Sequence, residues 1–96
     1  MAAVSGIGPG WQQLIDELGD ELRSLDASAE FVGPCVDHHG LLHLRASLSP
    51  EARVAGLRLL REYERRALGT CELCGDNGRV YGGSILVVRC RNCRAA

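Results

Sequence analysis

Near the end of the chain Cys71 and Cys74 stand two residues apart, and after fifteen intervening residues Cys90 and Cys93 repeat the spacing. Two residues between cysteines let the backbone make one tight turn that presents both sulfurs to a common point. Two such turns at this separation supply the four thiolates of a tetrahedral zinc site. Gly75 follows the second cysteine at a place where such turns often demand positive φ, which glycine adopts without steric cost. Between the pairs, Asp76-Asn77-Gly78 and Gly82-Gly83 are turn formers, while Val80-Tyr81 and Ile85-Leu86-Val87-Val88 favour β-structure. Residues 70–96 therefore read as a zinc ribbon holding one structural Zn2+ on Cys71, Cys74, Cys90 and Cys93. Two disulfides or free buried thiols are the competing reading of the same cysteines. Four thiolates close the coordination shell, whereas a catalytic zinc keeps a position open, so the expected metal is structural and the chain is not expected to be an enzyme.

With 96 residues the chain has room for one domain and buries a modest fraction of its surface. A structural zinc contributes on the order of 10 kcal/mol or more at neutral pH, comparable with the whole net stability of a domain. Met1 to Gly10 carries no basic n-region and no long apolar run, and no stretch approaches membrane-spanning length. These features, with cysteines spaced for metal, predict a cytoplasmic protein in a reducing compartment.

Charge is nearly balanced overall, at −1, but unevenly placed. Residues 1–50 hold seven acidic side chains against Arg23 and Arg45, and residues 51–96 hold nine arginines against five acids. Zinc on four thiolates adds about −2 to that second half and takes away much of its basic excess. All eleven basic residues are arginine, which is read as coding bias as much as selection for a bidentate donor.

In chain order, residues 1–10 read as a flexible tail that Pro9 and Gly10 punctuate. Trp11, Leu14, Ile15, Leu18, Leu22 and Leu25 then fall at the three-and-four spacing of one helix face, with acids opposite. That stripe is core in the simpler reading and a partner-binding face in the sharper one. Trp11, a large aromatic at the helix start, either caps the core or stays available to a partner. Asp26-Ala27-Ser28 ends the helix. Glu30 to Val36 reads as a strand, at an edge or bulged because Pro34 lacks an amide donor. Asp37-His38-His39-Gly40 reads as a turn and Leu41 to Leu48 as the returning strand, with Leu42, Leu44 and Ala46 on one face. Ser49-Pro50-Glu51 is a helix start, with a serine cap, proline at the first position and a carboxylate in the first turn. That second helix runs to about Leu68, where Gly69 closes it, and its inward stripe is Ala52, Gly56, Leu59, Leu60, Tyr63 and Ala67. The expected architecture is α+β: a helix–β-hairpin–helix core over 11–69, followed by a small C-terminal zinc ribbon over 70–96 packed on that core.

Two further groups carry chemistry. Cys35, His38, His39 and His43 are potential ligands of a second metal, but their spacing matches no common site, and a buried thiol with polar turn histidines is the simpler reading. A nucleophilic Cys–His pair would also need a positioned base and an oxyanion site. Arg58, Arg65 and Arg66 on the second helix, with Arg79, Arg89, Arg91 and Arg94 in the ribbon, form one continuous basic patch if the two elements are adjacent.

The run Gly10-Trp11-Gln12-Gln13-Leu14-Ile15, the short hairpin with Gly40, the second helix and Thr70-Cys71-Glu72-Leu73-Cys74-Gly75 together resemble a group of small bacterial proteins. Those proteins begin with a Gly-Trp helix and end in a Cys-x-x-Cys-Gly zinc-ribbon tail. The resemblance covers nearly all of the chain from residue 10 and implies the same fold and zinc, but the group brings no activity to carry over. Its members have a basic hairpin of the type Val-Lys-Glu-Lys-Phe-Gly where this chain reads Cys35-Val36-Asp37-His38-His39-Gly40.

Two functional classes follow. One is a non-enzymatic protein-interaction or accessory module that binds another protein through its acidic first helix, hairpin edge or ribbon. The other is a nucleic-acid-binding protein whose second helix and ribbon arginines grip phosphates, with affinity falling steeply as salt rises. The balanced charge and the lack of a helix-turn-helix or β-sheet RNA-binding motif favour the first. A thioredoxin-like redox role would require one Cys-x-x-Cys at a helix start within a βαβ pattern, which the sequence lacks.

Overall fold

The computed structural model describes residues 7–32, 35–36 and 40–95, with Cys35, Val36 and Ala95 as backbone. Helix α1 runs Pro9–Leu25, and its proline occupies the first turn, where a missing amide donor costs nothing. It thus begins two residues ahead of the apolar stripe that announces it, and Ile7 already packs against the core. Trp11, Leu14, Ile15, Leu18 and Leu22 are all buried along one face, so that stripe is core. Leu25, expected inward, is exposed because the helix ends there, with the amide of Asp26 donating to the carbonyl of Leu22.

The expected hairpin is two short ladders rather than one. Strand β1 (Glu30–Phe31) pairs with β4 (Ala46–Ser47), and β2 (Cys35–Val36) pairs with β3 (Leu42–His43), both antiparallel. Glu30 faces Ser47 and Phe31 faces Ala46, whereas Cys35 faces His43 and Val36 faces Leu42. The register slips by one residue between the ladders, so the first arm carries one residue more than the second across the junction. An odd residue breaks ladder pairing and splits the arm, as a bulge does. Leu42 and Leu44 nevertheless face the core, as their alternation predicts.

Pro50–Ala52 form one 3-10 turn that leads into α2 (Arg53–Leu68). Ser49 stands at the capping position but its hydroxyl makes no capping bond. Its amide donates instead to the carboxylate of Asp26, 2.7 Å away. The 3-10 turn buries Ala52, and helix α2 buries Gly56, Leu60, Tyr63 and Ala67, with Leu59 half-buried, and packs along α1. Three polar ties fix the layers: the Tyr63 hydroxyl donates to Glu21, Arg66 pairs with Glu17, and Glu64 accepts the amide of Leu44 from the hairpin.

Beyond Thr70 a second hairpin, β5 (Arg79–Gly82) with β6 (Leu86–Arg89), follows the first cysteine turn and leads into the five-residue helix α3 (Arg91–Ala95). Val88 is fully buried and carries this unit into the common core with Trp11 and Leu42. At Gly40, whose φ is +96°, an added Cβ would overlap the carbonyl of Leu86, so Gly40 sits directly against β6. The described chain is thus a mixed α+β fold of helices and small antiparallel sheets ending in a four-cysteine cluster. None of its helices is long and apolar enough to cross a membrane.

Candidate metal centre

Cys71 and Cys74 lie on a turn closed by the amide of Gly75 donating to the carbonyl of Cys71 at 2.9 Å. Gly75 has φ +86°, the left-handed conformation expected for it. Cys90 follows β6, and Cys93 sits in α3, whose first turn is held by the amide of Arg94 on the carbonyl of Cys90. The second cysteine pair therefore opens a helical turn, where the sequence reading anticipated only short strands and turns.

The four sulfurs lie within 4.8 Å of one another, and Sγ of Cys74 is 3.5 Å from Sγ of Cys90. A tetrahedral ion with metal–sulfur bonds of about 2.3 Å sets its sulfurs roughly 3.8 Å apart, so the cluster has the size such an ion demands. Cys71 and Cys90 are buried, Cys93 is half-buried and Cys74 is exposed.

Three of the thiols are driven in opposite directions by their surroundings. Burial disfavours the Cys71 thiolate, but the backbone amides of Cys74, Cys90 and Leu73 outweigh it and bring its pKa down to about 6. Cys93 is pushed up to about 12, first by its contact with the Cys90 sulfur and then by those of Cys71 and Cys74. For Cys74 the amide of Asp76 pulls down, and the Cys90 sulfur with burial pushes the net direction up. The Cys71 thiolate is stabilised while Cys74 and Cys93 are held as thiols. A divalent cation at the centre removes that conflict by letting all four ionise.

The surrounding fold is fitted to this turn. Gly10 lies against it so closely that a Cβ there would overlap the carbonyl of Cys71 and stand 2.6 Å from the amide of Gly75. The amide of Gly10 donates to the carbonyl of Glu72 at 2.9 Å. The indole of Trp11, fully buried, donates to the carbonyls of Thr70 and Ala67 at 2.9 and 3.2 Å. Glu72 within the turn pairs with Arg89 on β6 at 2.9 Å, and both side chains are largely covered. Gly10 and Trp11 are supporting residues that a search for metal ligands passes over, because neither carries a ligand atom.

Of the arginines expected in a basic patch, Arg79, Arg89, Arg91 and Arg94 line one pocket of about 410 Å3 with Tyr81 and Asn77. Arg94 stacks over the ring of Tyr81, 4.4 Å from its centroid. Arg58, Arg65 and Arg66 on α2 do not line it. Arg65 pairs with Glu62, and Arg66 pairs with Glu17 while stacking on Tyr63. Of the second ligand group, Cys35 and His43 face each other in the β2–β3 ladder, while His38 and His39 lie outside the described residues.

No family model matches the chain, and no curated protein or solved structure matches it.

Proposed function

We propose that this chain is a non-catalytic, zinc-organised interaction module. Zn2+ on Cys71, Cys74, Cys90 and Cys93 holds the C-terminal hairpin as a zinc ribbon, and the ribbon meets a protein partner. The closeness of the four sulfurs carries the reading, because a soft, four-thiolate set of this size suits a tetrahedral zinc ion. A shell already filled by sulfur has no position for water or substrate, so the metal's role is to fix the fold. Val80 and Ile85 on the ribbon hairpin and Leu73 in the first cysteine turn are exposed apolar side chains, which an interface would cover.

Cobalt substitution tests the first half. A tetrahedral tetrathiolate spectrum that does not change on adding imidazole supports a closed structural site, and a spectrum that shifts reveals an open position and sinks it. Site-specific cross-linking at residue 85 in the native cell tests the second half. Protein adducts that vanish with Val80→Asp support the interface, and unchanged or absent adducts count against it.

A further inference from the structure

We propose that the pocket between the β5–β6 hairpin and α3 binds the phosphate of a nucleotide. The cross-strand register places Arg79 opposite Arg89 on one side of the hairpin. Arg91 and Arg94 come from α3, and all four arginines line one concavity with Tyr81 and Asn77. Planar, five-donor guanidinium groups match phosphate oxygens in bidentate fashion, which a scatter of surface charges does not.

The arginines have a competing employment, which is to balance the −2 charge of a zinc tetrathiolate beside them. Two observations go beyond it. Arg89 already pairs with Glu72 and Arg94 already lies on Tyr81, yet among the described residues Arg79 and Arg91 have no acidic partner. Charge balance also requires only proximity, whereas these residues line an open concavity of about 410 Å3, within the roughly 300–1,000 Å3 of small-molecule pockets. A lone phosphate leaves most of that space empty. The stacked Arg94–Tyr81 pair offers a planar surface of the kind on which bases stack, and the amide of Asn77 offers both a donor and an acceptor for orienting one. Phosphate on guanidinium and a base beside the stacked pair together describe a nucleotide, either free or as one unit of a single strand. The inference goes beyond the interaction module and uses that reading only in requiring the metal-loaded fold.

The test uses the full, metal-loaded chain, with metal content read separately so that loss of the zinc centre is distinguished from loss of the pocket. Amide chemical shifts are followed on adding adenosine monophosphate, a single-stranded thymidine decamer or a phosphoserine peptide. Shifts over residues 77–82 and 89–94 with either nucleotide form are expected, tighter for the decamer if a strand is the natural source and tighter for the monophosphate if a free nucleotide is. Arg79→Gln with Arg91→Gln should weaken binding at least tenfold at unchanged metal content, while Arg53→Gln with Arg61→Gln on α2 should leave it unaltered. If the first pair loses metal, the shift map of the unmodified protein decides. No shifts in those segments, shifts confined to α2, or tighter binding of the phosphoserine peptide than of both nucleotide forms would overturn the proposal.

Discussion

The indole nitrogen of Trp11 lies 2.9 Å from the carbonyl oxygen of Thr70, the residue immediately before the first cysteine of the cluster. One side chain at the start of α1 thereby closes the end of α2 and anchors the segment that carries Cys71. The last carbonyls of a helix have no partner within it. Here the carbonyl of Arg66 accepts from the amide of Gly69 and the hydroxyl of Thr70, and that of Ala67 from Trp11. The cysteine turn is thus held by the core as well as by a metal, and core and metal centre should respond together to substitutions between them.

Trp11→Phe keeps an aromatic ring but removes the N–H. The half-buried Thr70 carbonyl then loses its indole donor, at a cost of about 1 kcal/mol, because water can still reach it. Trp11→Ala adds a cavity and should cost about 3–5 kcal/mol. Urea denaturation of the metal-loaded protein checks both, and equal midpoints for Phe and Trp would show that the ring alone matters.

Two glycines of the same helix should respond to alanine with opposite signs. At Gly19 a Cβ meets the Arg23 guanidinium and the Phe31 ring edge at 3.3 Å; the exposed arginine can swing away, and the half-buried ring has to give only slightly. Higher helix propensity should then prevail and stabilise the protein by up to about 1 kcal/mol. At Gly10 the same Cβ strikes the backbone of Cys71 and Gly75, which cannot withdraw without opening the cysteine turn. Gly10→Ala should therefore destabilise by about 1–3 kcal/mol and weaken metal retention against a chelator. Thermal denaturation of the two variants, with and without chelator, reads the contrast.

Local patterns were legible in the sequence and the contacts between them were not. The inward stripes of α1 and α2 follow from a 3.6-residue period that each segment carries alone, and the cysteine spacing is likewise a local signal. The fit of Gly10 against Cys71 joins positions some sixty residues apart, and no periodicity encodes it. The split of the first hairpin turns on a single extra residue in one arm, which alternation of leucines does not register. Ser49 looks like a helix cap because its side chain suits one, yet the backbone ends with its amide turned to Asp26. Likewise the arginines could be counted, but only the register of Arg79 with Arg89 and the turn of α3 decide which of them share a pocket.

Asp26 joins the end of α1 to the start of the second helical unit. One oxygen accepts the amide of Ser49 at 2.7 Å and the other accepts the amide and hydroxyl of Ser28 at 3.0 and 2.7 Å. The Ser49 amide first, then the Ser28 groups, hold its pKa at about 2 against an ordinary 3.8. A carboxylate whose pKa is lower in the folded state stabilises that state above about pH 4 and loses the contribution as pH falls through about 2. Asp26→Asn should lower stability at neutral pH and flatten the decline between pH 4 and 2. Urea midpoints across that range check it, and parallel curves for the two proteins would show that the carboxylate charge is not involved.

Removal of a single sulfur ligand should separate binding from burial. Cys71 is fully buried, with Gly10 against its carbonyl, whereas Cys74 is exposed. Serine at Cys71, Cys74, Cys90 or Cys93 should cost the bound metal and unfold at least residues 70–94, because a structural zinc contributes on the order of 10 kcal/mol. Cys71→Ser should in addition loosen the first turn of α1, since that turn is seated on the backbone of Cys71 and Glu72, which the altered buried side chain displaces. Cys74→Ser should leave amide protection around Leu14 and Leu18 nearer to that of the unmodified protein. Cys35→Ser, outside the cluster, should keep its metal. Elemental analysis and amide hydrogen exchange on the set check these outcomes. Equal loss of protection along α1 in both cluster variants would mean that metal and core unfold as one unit, whatever the position of the missing sulfur.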